Sequence, residues 1–140
     1  MQKIALVSMN ARSSHTNPVM YSMRTMLRQC ENLKTEIIEL TINQTWKECL
    51  SVLLKANYDF YLFSVYIWNS EQLLKILPLL RKLCPGAVII CGGPEITYNT
   101  EVWKEYADIL VCGQAEGFVS EFFDSAEYID FSPEPGSLSR

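Results

Sequence analysis

The sequence VIICGGPE, residues 88–95, joins a short apolar run to a loop that begins with two glycines. An apolar run of this length is typical of a strand that is buried on both faces, as in a parallel sheet. Glycine has no Cβ, so the backbone at Gly92 and Gly93 can approach a ligand or another segment closely. The pair alone also fits a tight turn between a strand and a helix, and the surrounding sequence is needed to distinguish the two.

Five short apolar runs recur along the chain, and helical patterns lie between them. The runs are Ile4–Val7, Ile37–Leu40, Phe60–Val65, Val88–Cys91 and Ile109–Cys112. Apolar residues at steps of three and four mark helices over residues 20–30, 46–54 and 73–83. These stripes indicate helix faces that pack against a core.

Capping signals mark the helix starts. Asn17-Pro18 places an N-cap residue before a first-turn proline, and TWKE at residues 45–48 matches a capping box. Pro78 interrupts the third helical pattern, where a proline removes a backbone hydrogen bond and costs about 3 kcal/mol. We therefore expect a kink or an early break in that helix.

Alternation of strand and helix predicts a three-layer α/β domain of the Rossmann-like, flavodoxin-like class, with a five-stranded parallel sheet. The second strand is polar and alternating, which places it at an edge. Right-handed crossovers favour the strand order 2-1-3-4-5, in which ligands bind above the carboxyl ends of the strands. We assign residues 1–127 to this domain. Residues 128–140, rich in proline and serine, form a linker or tail toward a catalytic domain that these residues do not include.

Composition excludes several classes of protein. The chain has 140 residues and a net charge of −4 without a long basic cluster, which argues against nucleic-acid binding. No apolar stretch approaches the length of a membrane span. The five cysteines are scattered and lack CxxC spacing, which indicates a reducing cytoplasm and no metal cluster within these residues.

Four predicted loops share the carboxyl edge of the sheet: residues 8–17, 64–69, 92–95 and 113–116. They combine small residues, hydroxyls and aromatic rings, which suit a large, flat and partly polar ligand. The candidate ligand-binding residues in these loops are Asn10, Arg12, His15, Ser64, Tyr66, Trp68, Gly92, Gly93, Pro94, Glu95, Gly113 and Glu116.

Ser64 after the third strand and Gly92-Gly93 after the fourth resemble the Ser and Gly-Gly elements of cobalamin-binding domains. More specifically, residues 10–17, 64–69 and 92–95 are similar to the N-terminal cobalamin (vitamin B12)-binding-type domain of a radical-SAM protein subfamily. The resemblance covers about residues 1–125. It implies cobalamin as the cofactor, with S-adenosylmethionine and a 4Fe-4S cluster bound only by a following radical-SAM domain.

One motif of the cobalamin-binding families is missing. Mutase-type domains carry D-x-H-x-x-G, whose histidine ligates cobalt, whereas here Ser13 lies two places before His15 and Pro18 three places after it. The resemblance therefore implies either a corrinoid bound without this histidine ligand or a degenerate domain that binds no cobalamin. His15 itself also fits a loop residue that bonds to nearby backbone.

Each of the remaining candidate ligand-binding residues has two interpretations. Arg12 contacts a phosphate or carboxylate, or is a solvated charge. Glu95 and Glu116 fit helix-entry carboxylates better than acid–base groups. Tyr66 and Trp68 stack on a corrin ring or simply pack beneath the loops.

Three functional hypotheses remain open. The first is a cobalamin-binding module, the second a cofactor-free interaction or substrate-docking domain, and the third an FMN-binding flavodoxin-like domain. Asn10 and Ser64 stand where a receiver domain needs acidic residues, which excludes that class. No nucleophile or paired-ligand motif occurs, so we do not expect this chain alone to be an enzyme; the parent protein would be a radical-SAM enzyme such as a methyltransferase. If cobalamin binds, we also expect a bulky residue at Gly93 to block it and to leave the fold largely intact.

Overall fold

The computed structural model describes residues 2–11 and 18–112, which form five strands and five helices. The strands are β1 (Gln2–Asn10), β2 (Leu33–Thr41), β3 (Phe60–Ser64), β4 (Val88–Gly92) and β5 (Ile109–Val111). The helices are α1 (Pro18–Leu27), α2 (Trp46–Leu53), α3 (Ser70–Leu83), α4 (Pro94–Tyr98) and α5 (Thr100–Trp103). Strands and helices alternate as the sequence predicts, except that two short helices follow β4.

The strands form one parallel sheet in the order β2-β1-β3-β4-β5. This confirms the predicted fold class, the strand order and the edge position of β2. Strands β1 and β2 are longer than their apolar runs, because they pair from Gln2 and Leu33 to Asn10 and Thr41. The added residues combine partly exposed positions such as Lys3, Asn10 and Thr41 with the buried Ser8 and Met9, so the apolar pattern marked only the centre of each strand.

Helices cover both faces of the sheet, because successive side chains of a strand point to opposite sides. On the first face, which we call the α1 face, the helix contributes Met20, Met23 and Leu27 to the core. On the second, the α3 face, the core side chains come from α2, α3, α4 and α5. They include Cys49, Leu53, Leu73, Leu77, Ile96 and Trp103.

The early break expected at Pro78 does not occur. Helix α3 runs through this residue to Leu83. Pro78 lies on the exposed side of the helix, so the carbonyl of Leu74 that loses its partner can bond to water. The capping box of α2 is present as predicted: Thr45 Oγ1 accepts from Glu48 N at 3.1 Å, and Glu48 Oε1 accepts from Thr45 N at 3.1 Å.

A charged network closes the amino edge of the sheet. Arg81 Nη1 donates to Ala87 O at 2.7 Å, Arg81 pairs with Asp108, and Asp108 Oδ2 accepts from Ile89 N at 2.8 Å. These bonds join α3 to β4 and β5. A cleft of about 650 Å³ lies beside them, at the edge opposite to the strand ends where ligands bind in this fold.

Three further features bear on the sequence-based expectations. No helix within the described residues is long and apolar enough to cross a membrane. The same residues contain no cluster of His, Cys, Asp and Glu side chains that could hold a metal ion. All five cysteines are free thiols, and Cys49 and Cys91 are buried in the core.

Candidate functional site

The α1 face changes character at the carboxyl ends of β1, β3 and β4. On that face each strand begins with apolar side chains and ends with small or polar ones. The residues are Ile4, Leu6, Ser8 and Asn10 in β1, Phe60, Leu62 and Ser64 in β3, and Val88, Ile90 and Gly92 in β4. Ser64 and Gly92 are partners in the sheet register, and Ser8 and Ser64 directly follow the matched pair Val7 and Phe63. Ser8, Ser64 and Gly92 therefore form a row across three strands, which we call the small-residue row.

The opposite face keeps its apolar character up to the same edge. Met9, Phe63, Val65 and Cys91 all belong to the core of the α3 face. Complete burial raises the pKa of the Cys91 thiol, so this group stays protonated at neutral pH. Small and polar residues at the strand ends therefore lie on the α1 side of the sheet.

The two serines of the small-residue row, Ser8 and Ser64, differ in the hydrogen bonds that they form. Ser8 Oγ donates to Asn10 Oδ1 at 2.8 Å, and Ser8 is buried whereas Asn10 is partly exposed. Ser64 is also buried. Its carbonyl accepts from Asn69 Nδ2 at 3.2 Å. The row therefore places two buried hydroxyl groups, those of Ser8 and Ser64, at the strand ends.

The structure gives Gly93 a different role from the one expected. Its φ is +109°, and a Cβ built there would lie 2.6 Å from Val65 O and 2.9 Å from Val65 N. Glu95 N donates to Val65 O at 3.2 Å and Val65 N to Gly92 O at 2.7 Å, so the turn after β4 lies directly against the end of β3. Glycine is required here by the protein's own backbone. The expectation that a bulky residue would leave the fold intact is therefore wrong.

The loop between β3 and α3 presents two stacked aromatic rings. The Tyr66 and Trp68 centroids are 4.4 Å apart, with an interplanar angle of 6°. Trp68 is 50% exposed and the neighbouring Ile67 is 80% exposed. Tyr66 is half-buried and Trp68 half-exposed, so the stack is only partly covered where it follows the end of β3.

Pro94 and Glu95 begin helix α4. Pro94 occupies the first turn, where its missing N–H costs no helical hydrogen bond. Glu95 lies in the same turn, as expected of a helix-entry carboxylate, and its Oε2 accepts from Asn99 Nδ2 at 2.9 Å. Both residues come shortly after Gly92, the member of the small-residue row in β4, and so lie at the edge of the row.

The structure brings together most of the predicted site residues that it describes. The ends of β1, β3 and β4, with Asn10, Ser64 and Gly92, are neighbours in the sheet. The predicted candidates Arg12, His15, Gly113 and Glu116 lie outside the described residues.

Two residues of the site were not predicted. Ser8 was assigned to a loop, but β1 continues to Asn10 and places Ser8 on the α1 face. The alternation of Ile4, Leu6 and Ser8 along one strand face is the signal that could have identified it. Asn69, the last residue of the predicted loop 64–69, was not among the candidates, yet it is fully buried and its side-chain amide bonds to backbone at the ends of both β1 and β3.

A family model described as the B12 binding domain matches residues 5–123. The chain belongs to the B12-binding domain family. The match includes β1 from Ala5 onward, the whole of β2 to β5 and the strand-end edge described above.

Among curated proteins, this B12-binding domain is similar to the cobalamin-dependent radical SAM methyltransferase TokK of Streptomyces tokunonensis. The two are 25% identical over 87 residues, which are 59% of this chain and 13% of TokK. The chain therefore spans only a small part of the length of this relative.

Solved structures share the fold. The radical S-adenosylmethionine methyltransferase TsrM from Kitasatospora setae superimposes with a TM-score of 0.67 and 20% identity over 89% of this chain and 26% of TsrM. A cobalamin-binding protein from Desulfitobacterium hafniense gives 0.63 and 19%, covering 89% of this chain and 59% of that protein. Response regulators share the same architecture, so at these identities the likeness establishes the fold alone.

Proposed function

We propose that this chain is the cobalamin-binding domain of a radical SAM methyltransferase and holds the corrinoid above the carboxyl ends of β1, β3 and β4. The main support is the small-residue row, which replaces apolar side chains by Ser8, Ser64 and Gly92 on one face of the sheet. Such a row leaves room between sheet and helix for the tail of a large cofactor. Family membership supports the cofactor class, and the similarity to TokK and TsrM supports the reaction class.

The residues at this edge suit cobalamin chemically. The Ser64 hydroxyl supplies a polar partner deep in the row, and the Tyr66–Trp68 stack supplies a flat apolar surface for a corrin ring. Asn10 and Glu95 offer amide and carboxylate groups at the rim, where the cofactor's peripheral amides would meet them. When bound, cobalamin supplies the cobalt chemistry of methyl transfer, and the residues of this chain bind and orient it.

Several finer assignments form part of the same proposal. Arg12, His15, Gly113 and Glu116 complete the cofactor contacts, together with Gly93 and Pro94 at the turn after β4. We propose that no D-x-H-x-x-G histidine ligates the cobalt. S-adenosylmethionine and the 4Fe-4S cluster belong to a radical-SAM domain outside residues 1–140. The five free thiols support a cytoplasmic location.

Mixing the purified chain with hydroxocobalamin tests this assignment. We expect a change in the corrin absorption spectrum and co-elution of the cofactor with the protein. A folded chain, verified by circular dichroism, that gives neither signal would contradict the proposal. Substituting His15→Ala should leave the cobalt spectrum nearly unchanged, because the proposal gives this side chain no cobalt bond.

A matched pair of tryptophan variants locates the site. Trp68→Ala removes half of the stack and should weaken binding by up to about tenfold, the upper end of the roughly 0.5–1.5 kcal/mol of an aromatic contact. Trp46→Ala removes a ring of similar exposure, 37%, at the start of α2 beside Lys47. This control should bind as the wild type does. Equal losses in both variants would place the corrin elsewhere.

A cofactor-free docking domain is the second candidate. Ile67 and Tyr98 are 80% and 84% exposed and follow the carboxyl ends of two neighbouring strands, as expected of a surface that another protein or domain covers. Binding of neither hydroxocobalamin nor FMN by the folded chain would favour this candidate. Binding of FMN alone would favour a flavodoxin-like function.

A further inference from the structure

Asn69 connects two strand ends through a completely buried side chain. Its Nδ2 donates to Met9 O at 3.1 Å and to Ser64 O at 3.2 Å, and its Oδ1 accepts from Tyr66 N at 2.9 Å. Both amide protons therefore reach backbone carbonyls, one in β1 and one in β3. Asn69 and Met9 are 60 residues apart along the chain, and the junction of β1 and β3 is the switch point at which ligands bind in sheets of this order.

The same residue fixes the turn that presents the aromatic stack. Asn69 N donates to Tyr66 O at 3.2 Å, which together with the bond from Tyr66 N closes residues 66–69 in both directions. Ser70 Oγ donates to Ile67 O at 3.1 Å and reinforces the turn from the helix side. Hydrogen bonds of a buried amide are strengthened by the low local dielectric. The exposed Trp68 ring is thus carried on a turn with little freedom to rearrange.

We propose that Asn69 is a positioning residue of the cofactor site: it holds the end of β1, the Ser64 carbonyl and the Tyr66–Trp68 stack in one fixed arrangement before the ligand arrives. This inference rests on the proposed cobalamin function. A preformed arrangement avoids the free-energy cost of ordering loops and side chains on binding. Loss of the bridge should therefore weaken binding even though the Asn69 side chain is buried and is given no contact with the corrin.

The test compares Asn69→Ala with Tyr61→Phe. The control removes another buried hydrogen bond, from Tyr61 Oη to Leu53 O at 2.8 Å, at the end of α2. Both variants lose stability, but only Asn69→Ala removes a bond at the strand ends. We expect the Kd for hydroxocobalamin to rise about 10- to 100-fold in Asn69→Ala and to stay within about twofold of wild type in Tyr61→Phe, at a temperature where both are folded.

A ligand-free measurement separates this inference from the proposed function. The stacked rings should give a near-ultraviolet circular dichroism signal that falls in Asn69→Ala and persists in Tyr61→Phe. If the wild type binds no hydroxocobalamin but shows this difference, the cofactor assignment fails and the positioning role stands. An unchanged aromatic signal, or equal affinity of Asn69→Ala and Tyr61→Phe, overturns the positioning role and leaves the cofactor assignment intact.

Wild-type protein provides a second measurement, which decides the question if Asn69→Ala does not fold. The two Nδ2 protons of Asn69 should exchange with solvent slowly in the free chain, because both are bonded and buried. Hydroxocobalamin should slow this exchange further, as the strand ends that the amide joins become covered. Fast exchange in the free chain, or exchange that a bound corrinoid does not alter, would contradict the positioning role.

Discussion

At Gly93 the backbone has a φ of +109°, a conformation that residues with a Cβ rarely adopt. An added methyl group would meet two backbone atoms of Val65 at less than 3 Å. We expect Gly93→Ala to lower the free energy of unfolding by about 2–4 kcal/mol, combining backbone strain with displacement of the end of β3. Urea denaturation of the variant, followed by circular dichroism, measures this loss.

Gly86 supplies the matched control for that substitution. It lies before β4, its φ is not in the positive region, and nothing lies within 4 Å of a Cβ built there. Gly86→Ala should therefore be neutral or more stable by up to about 1 kcal/mol, because it restricts the unfolded chain. A Gly93→Ala variant as stable as Gly86→Ala would show that ligand space alone requires glycine at position 93.

Residue types indicated the strand-end site, whereas residue roles needed the coordinates. The positions of Ser64, Gly92 and Asn10 at strand ends were predictable, since each lies at or after the end of an apolar run that marks a strand; their contacts with a ligand stay a prediction. The reason for Gly93 was not accessible, because its neighbour Val65 directly follows another strand, β3, 28 positions earlier in the chain. Asn69 was hidden for the same reason: its bond to Met9 O is a long-range contact with a backbone atom, which leaves no trace in the side-chain pattern.

At the scale of elements, the edge strand β2 is tied to the segment that enters β3. Tyr58 Oη donates to Glu36 Oε2 at 2.6 Å. This hydrogen bond lowers the pKa of Glu36, assisted by the charge of Lys34, while burial acts in the opposite direction. Burial first, and then the bond to Glu36, raises the pKa of Tyr58 to about 12. The Tyr58–Glu36 hydrogen bond therefore stabilises the fold at pH values between the pKa of Glu36 and the pKa of Tyr58.

Removing this bond should change the pH dependence of stability. The Glu36 contribution is present above its unfolded pKa of 4.5 and is lost as pH falls through the lowered folded value. The Tyr58 contribution is present below pH 10 and is lost as pH rises toward about 12. Tyr58→Phe should lower the free energy of unfolding by about 1 kcal/mol at pH 7, a modest value because Glu36 is partly exposed. Unfolding of both proteins across pH 3–11 should show a flatter profile for the variant at both ends.

Tyr21→Phe is the control for Tyr58→Phe, because Tyr21 in α1 also donates a hydrogen bond to a glutamate of β2. Tyr21 Oη donates to Glu39 at 3.3 Å in an exposed position, so its loss should change stability by less than about 0.5 kcal/mol. A pH profile of Tyr58→Phe that parallels the wild type would contradict the assigned role of the Tyr58–Glu36 bond.

Helix α3 shows that local helix propensity alone does not determine where a helix ends. Helix propensity correctly marked Pro78 as unfavourable, but the expected break depended on whether the freed carbonyl was buried. The exposed position of the ring leaves that carbonyl near water, and four buried side chains of α3, Leu73, Ile76, Leu77 and Leu80, anchor the helix on both sides of the proline. Packing over fourteen residues thus outweighs the local cost, a comparison that requires knowledge of which face is buried.

For the molecule as a whole, the proposed cofactor site exists only in the folded state. The small-residue row takes its members from β1, β3 and β4, which the sequence separates by tens of residues and the parallel sheet brings into register. The fold class was predictable because five short strand patterns, four of them continuously apolar, alternate with capped helical patterns. The change from apolar to small or polar side chains along the α1 face was not predictable, because it depends on the strand boundaries and on which side chains share a face.

A ligand that binds only this assembled row must stabilise the folded chain. At a free hydroxocobalamin concentration 100 times its Kd, linkage adds about 2.7 kcal/mol to the free energy of unfolding, which corresponds to a rise in Tm of roughly 10 °C for a chain of this size. The rise should continue with the logarithm of cofactor concentration beyond saturation, and Tm should be read by circular dichroism at a wavelength free of corrin absorption. FMN at the same concentrations serves as the control and should leave Tm unchanged. Co-elution of hydroxocobalamin without any rise in Tm would mean that the cofactor binds folded and unfolded chains alike, and would exclude a site built from three separate strands.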